Sequence, residues 1–144
     1  VLTFVPKSLG PVIESIMKKV LLLDNDEGVL DVMQEALSYE GFQIKAIDST
    51  DNIFPVIDGF DPDLIILDYI LSGVNGGEIC HQIKANPKTT DLPVIIMSAY
   101  PRVIRSLGYY GCDDFIAKPF DLDDIVERIK NLIDKGMHRD LHAV

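Results

Sequence analysis

The sequence predicts an α/β domain built on an open, doubly wound sheet of five parallel strands in the order 2-1-3-4-5, with five helices. Three observations predict it. From Lys18 onward, short aliphatic runs alternate with amphipathic stretches, the pattern of βα units rather than of hairpins. The runs LIIL (64–67) and VIIM (94–97) are apolar at every position, as strands are when helices cover both faces of a parallel sheet. The chain has 144 residues, enough to bury one core and too few for two. Right-handed crossovers place the switch point between strands one and three, and ligands bind outside the carboxyl ends of the strands in such a sheet.

The elements follow in order. VLLL (20–23) is the first strand. A helix is expected from about Glu27 to Glu40, with Val29, Leu30, Val32, Met33, Ala36 and Leu37 on one side, and Gly41 ends it. FQIKAI (42–47) alternates in part, as a sheet edge does. Ser49 or Thr50 is expected to open a second helix running toward Gly59, shortened or kinked by Pro55. LIIL is the central strand. The third helix is expected from Gly77 to Ala85, stopped by Asn86 and Pro87, and VIIM is the next buried strand. A short fourth helix must fit between Pro101 and Gly108. DFIA (114–117) is the last strand, and LDDIVERIKNLI (122–133) is an amphipathic helix turning Ile125, Ile129, Leu132 and Ile133 inward.

Composition narrows the function classes. Acidic residues outnumber basic ones 23 to 13, a net charge of −10, and such a field repels nucleic-acid phosphate and anionic membranes. Apolar runs fall short of the roughly 18 residues a membrane span requires. The two cysteines, Cys80 and Cys112, show no metal or redox spacing and suit a reducing cytoplasm. Residues 1–16 have no secretory pattern and are read as a leader outside the core, residues 17–136 as the domain, and residues 137–144 as a polar tail. His81, His138 and His142 lie away from the strand ends and are read as surface residues.

The chemistry gathers where the apolar runs stop. Asp24, Asn25 and Asp26 follow strand one, Asp68 follows strand three, Ser98 strand four and Lys118 strand five. In a parallel sheet these ends share one rim. Asp24 and Asp68 offer the hard oxygens that Mg²⁺ prefers. Lys118 is a point cation for phosphate and Ser98 a hydroxyl donor. Together they are what phosphoryl transfer requires, and an aspartate can itself be the nucleophile. Singly, each has a plainer reading as a helix cap, turn residue or solvated lysine. Asp26 fits best as the cap of the helix starting near Glu27, and Asp48 is read likewise.

Taken together, VLLLDND, LIILDYILSGVNGGE, VIIMSAY and DFIAKPF resemble the receiver domain of two-component response regulators, over Lys18 to Ile133. The resemblance implies a flavodoxin-like fold and a cytoplasmic signalling protein that catalyses its own phosphorylation and dephosphorylation, not an enzyme turning over an external substrate. It implies that Asp68 accepts a phosphoryl group from a sensor histidine kinase or phosphotransfer protein, with Mg²⁺ or Mn²⁺ held by Asp24, Asn25, Asp68 and the backbone carbonyl of Ile70. Lys118 and Ser98 would bind the phosphoryl oxygens. Ser98 and Phe115 would form the switch that alters a surface read by a downstream protein, Pro119 would follow a cis peptide, and two-fold pairing through the fourth and fifth helices is a family tendency. Ile70 and Tyr100 flank the position from which water would attack, and their bulk predicts slow dephosphorylation.

The chain departs from the family pattern at two positions. Asn25 stands where a second acid is usual, which predicts weaker but retained Mg²⁺ binding, and Ser72 stands where a proline usually stiffens the loop. Two other readings compete. A degenerate receiver would bind partners without taking up phosphate. A phosphatase resembling the haloacid dehalogenase superfamily would use LLLDND, Ser98 and Lys118, but it gives Asp68 no role and needs an acidic pair that the later strands lack.

Overall fold

The computed structural model describes residues 17–102 and 111–142, with side chains as far as 136. Five parallel strands make one sheet in the order β2-β1-β3-β4-β5: β1 (Lys19–Leu23), β2 (Gln43–Ile47), β3 (Leu64–Asp68), β4 (Val94–Ser98) and β5 (Asp114–Ala117). Among the described residues four helices pack on it: α1 (Glu27–Tyr39), α2 (Ile53–Phe60), α3 (Gly76–Ala85) and α4 (Leu122–His142). The strand order is the predicted one. Beyond Arg102, the fourth helix expected before Gly108 lies outside the described residues.

β3 and β4 are buried at every position because helices cover both faces. Alternate side chains feed two cores. On one face Val20, Leu22, Leu64, Ile66, Ile95 and Met97 meet Leu30, Met33 and Leu37 of α1 and Ile125, Ile129 and Ile133 of α4. On the other, Leu21, Leu23, Ile65, Leu67, Val94 and Ile96 meet Ile53 and Ile57 of α2 and Ile79, Cys80 and Ile83 of α3. Each such Leu or Ile contributes about 1.5–3 kcal/mol by leaving water. Cys80 and Cys112 are free thiols in this second layer. Burial, then the neighbouring Cys112, pushes Cys80 up to about 12; burial, then the Asp113 charge, pushes Cys112 up to about 11.

Several local expectations are corrected. The second helix starts at Ile53, capped by the Asn52 carboxamide, which accepts the Phe54 N–H at 3.1 Å. Thr50 instead shapes the turn before it, its hydroxyl donating to the Asn52 carbonyl at 2.9 Å. Pro55 therefore occupies the first turn of a short helix, where an N–H would have no helical partner. Val32 is 51% exposed, because Leu30, Met33 and Leu37 alone form the buried stripe of α1. Leu132 packs against the core as expected, though less deeply than Ile133. α4 continues as helix to His142, past the end expected at Ile133. Asp26 caps α1 as expected, accepting from the N–H groups of Gly28 and Val29, and the left-handed Gly41 (φ 94°) closes its far end.

Candidate functional site

The sheet register builds the site. Leu23 pairs with Leu67, so Asp24 and Asp68 emerge side by side at the ends of β1 and β3. Asp68 pairs with Met97, and Ser98 with Ala117, which brings Ser98 and Lys118 to the same rim. Two backbone bonds fasten the strand exits: Tyr69 N–H to Met97 O at 2.8 Å, and Lys118 N–H to Ser98 O at 2.8 Å. An open cleft of about 150 Å³ results, lined by Asn25, Asp68, Ile70, Ser98, Ala99, Tyr100 and Lys118.

Asp24 lies behind the cleft, fully buried. Its Oδ1 accepts the Asp26 N–H at 2.9 Å, and its Oδ2 accepts from Lys118 Nζ at 2.8 Å, a contact spanning 94 positions of sequence. The same ammonium lies 3.2 Å from Asp68 Oδ1. Lys118 is thus shared between two carboxylates on strands that are not its neighbours. Burial alone would lower its pKa, but the hydrogen bond it donates to Asp24 and the charges of Asp24 and Asp68 outweigh that and hold it above the ordinary lysine range. Asp68, 7% exposed, goes the other way from a typical paired carboxylate. Burial, reinforced by the Asp24 charge, raises it despite the opposing pull of Lys118.

The Ser98 hydroxyl is buried and accepts the Tyr100 N–H at 2.9 Å, which leaves its own hydrogen available to a ligand in the cleft. Ile70 (50% exposed) and Tyr100 (56% exposed) stand at the cleft mouth. Asn25 lines the cleft with an exposed side chain. Two predicted site residues stand outside the cleft lining: Asp24 behind it, and Phe115, half-buried on β5 against the α2/α3 layer. Lys118–Pro119 is a cis peptide. Sequence reading missed two contributors. Ala99 lines the cleft between Ser98 and Tyr100, and the backbone of Asp26 orients Asp24. The second was signalled by the aspartate two residues earlier, which makes an Asx-type turn.

The residue types fit a small hard cation, since the Asp68 carboxylate and the Asn25 carboxamide line an open cleft with the Asp24 carboxylate behind it, and Ile70 lines the same cleft. No cluster of three or more His, Cys, Asp or Glu suited to a metal occurs among the described residues. Oxygen donors of mixed charge, an ammonium and a hydroxyl thus gather around one carboxylate, the kinds of group that phosphoryl chemistry employs.

A family model described as the response regulator receiver domain matches residues 20–130. The chain belongs to this family. Receiver domains of response regulators are signalling proteins of two-component systems, not substrate-turnover enzymes. This receiver domain is 31% identical over 119 residues to the phosphate regulon transcriptional regulatory protein PhoB of Pseudomonas aeruginosa, covering 81% of the chain and 52% of the relative. It is 33% identical over 129 residues to the nisin biosynthesis regulatory protein NisR of Lactococcus lactis, covering 88% and 54%. The chain spans about half the length of the curated relatives it matches. The structure of TrrA from Thermotoga maritima, in complex with Mg²⁺ and BeF, is similar at a TM-score of 0.73 and 27% identity, covering 81% of this receiver and 99% of that chain. No helix among the described residues is long and apolar enough to cross a membrane.

Proposed function

We propose that this receiver takes a phosphoryl group from a phosphohistidine of a sensor histidine kinase or phosphotransfer protein onto Asp68, in a Mg²⁺-dependent reaction, and thereby switches a surface read by a downstream protein in the cytoplasm. One observation carries the reading: Asp68 opens on the cleft with its carboxylate against the Lys118 ammonium, which Asp24 holds from behind. An Asp68 carboxylate oxygen attacks phosphorus, the P–N bond to the imidazole breaks, and an acyl phosphate forms. Lys118 meets the added negative charge, and the Ser98 hydroxyl donates to a phosphoryl oxygen. Asp24, Asn25, Asp68 and the Ile70 carbonyl would hold Mg²⁺ or Mn²⁺, which when bound neutralises charge on the transferring group. Ser98 and Phe115 would carry the change outward along β4 and β5, whose ends are bonded to each other at Ser98 and Lys118.

With a net charge of −10, the output of these residues is contact with protein, including a second copy of the receiver, not with nucleic acid. Ile70 and Tyr100 narrow the approach of water to Asp68, so the acyl phosphate is long-lived. The test is incubation with Mg²⁺ and acetyl phosphate or a phosphorylated histidine kinase, followed by intact mass. The expected result is one phosphoryl adduct on the wild type, none on Asp68→Asn, and decay far slower than seconds. No adduct on the wild type would mark a partner-binding module instead, and an adduct surviving Asp68→Asn but lost in Asp24→Asn would mark a phosphatase.

A further inference from the structure

The loop between β3 and α3 is drawn tight by contacts that converge on one glycine. Gly76, the first residue of α3, is buried, and its N–H donates to the Tyr69 carbonyl at 2.7 Å. Ile70 and Asn75 form an antiparallel bridge across the same loop. The Asn75 carboxamide then accepts the Glu78 N–H at 2.8 Å, fixing where the helix begins. On the strand side, Tyr69 N–H is bonded to Met97 O.

Within this closure Gly76 lies against the backbone of the candidate phosphoacceptor. A Cβ added at Gly76 would collide with the carbonyl oxygen of Asp68, and would sit 3.0 Å from its carbonyl carbon and 3.2 Å from the Tyr69 Cα. All three atoms are backbone, so no side-chain rotation relieves the clash. The requirement is one of space and not of dihedral freedom. Gly73 in the same loop is the opposite case, with φ 87° and nothing within 4 Å of its would-be Cβ.

We infer that Gly76 is a positioning residue of the phosphoryl site: the missing side chain lets α3 press on the Asp68–Tyr69 peptide and so sets both the carboxylate of Asp68 and the carbonyl of Ile70. This rests on the reading of Asp68 as phosphoacceptor and adds a requirement that the cleft-lining residues do not reveal. Any side chain at 76 pushes the Asp68 backbone and α3 apart. The Ile70 carbonyl, one peptide beyond Tyr69 and tied by the bridge to Asn75, moves with them. Displacements of about 1 Å at reacting groups cost up to roughly 100-fold in rate.

The test compares wild type, Gly76→Ala and Gly41→Ala, measuring phosphorylation by acetyl phosphate against Mg²⁺ concentration, alongside Tm. Gly41 (φ 94°, nothing within 4 Å) supplies backbone strain remote from the cleft. Gly76→Ala is expected to lose about tenfold or more in labelling rate at saturating Mg²⁺ and to need more Mg²⁺ for half-maximal labelling, whereas Gly41→Ala loses Tm but keeps both. In wild type, a Mg²⁺ titration followed by amide NMR is expected to move the Gly76 resonance together with those of Tyr69 and Ile70, a readout independent of whether Gly76→Ala folds. Wild-type rate and Mg²⁺ dependence in Gly76→Ala, or a Gly76 amide unmoved while Ile70 shifts, would overturn the inference and leave the phosphoacceptor reading standing. A wild type that takes no label and shows no Mg²⁺ shifts would overturn that reading itself.

Discussion

Asp68 is held in two opposed fields. Burial and the Asp24 charge lift its pKa, and Lys118 pulls it down without cancelling them. The native state therefore binds the Asp68 proton more tightly than the unfolded chain does. That contribution to stability is present below the unfolded carboxylate pKa and is lost as pH rises through the raised folded value. At neutral pH the ionised carboxylate thus works against the fold. Asp68→Asn, which cannot ionise, is expected to have a higher Tm than the wild type at neutral pH in chelator-containing buffer, with the gap closing below the carboxylate range. Thermal melts of the two proteins across pH measure this, and a Tm for Asp68→Asn at or below wild type at neutral pH would contradict it. The same geometry explains why the loss of an acid at Asn25 leaves the site coherent. The buried charge that organises Lys118 is Asp24, and Asn25 faces the open cleft.

At the level of elements, the rim is precise because the opposite ends of the strands are fastened too. Lys84 in the last turn of α3 donates to the carbonyls of Thr90 (3.3 Å) and Leu92 (2.8 Å) and to Asp113 Oδ2 (2.7 Å). The same Asp113 oxygen accepts the Val94 N–H at 2.8 Å. One lysine thus ties α3 to the segment entering β4 and to the residue before β5. Unlike an ordinary surface ion pair, this one also satisfies the partly buried carbonyl of Leu92. Lys84→Met is expected to cost about 1–3 kcal/mol in urea unfolding, whereas Lys88→Met, on the exposed turn beyond, changes stability by less than about 0.5 kcal/mol. Arg128 plays a similar part for α4, bonding Asp114 at 2.7 Å and the Phe115 carbonyl at 3.4 Å. The last helix is thereby anchored to the strand that carries the candidate switch aromatic.

For the molecule as a whole, an excess of acid packed around a ten-strong negative charge opposes compaction by self-repulsion. Screening reaches about 8 Å at physiological ionic strength, so a monovalent salt such as NaCl is expected to raise Tm modestly, whether or not Mg²⁺ is present. A Tm that falls steadily with added NaCl would show instead that attractive pairs such as Lys84–Asp113 and Arg128–Asp114 dominate the electrostatics. Against that background the fold rests on its two apolar layers, whose strands were legible because LIIL and VIIM state their burial locally, with no polar residue to face water. The rim was legible for the same reason: Asp24, Asp68, Ser98 and Lys118 each interrupt or end an apolar run at a place the strand boundary dictates. Helix ends were less so. Asn52 rather than Ser49 or Thr50 caps α2, and Val32 points outward, because caps and faces depend on which neighbour the helix meets.

The sequence by itself determined the sheet, its order and the residues that gather at its rim, since periodicity and apolar runs are written over a few consecutive positions. Only the tertiary structure decided that Lys118 would lie between Asp24 and Asp68 and that Gly76 would press on the Asp68 carbonyl. Those contacts are distances between segments far apart in the chain or folded back on themselves, and packing, not local pattern, sets them.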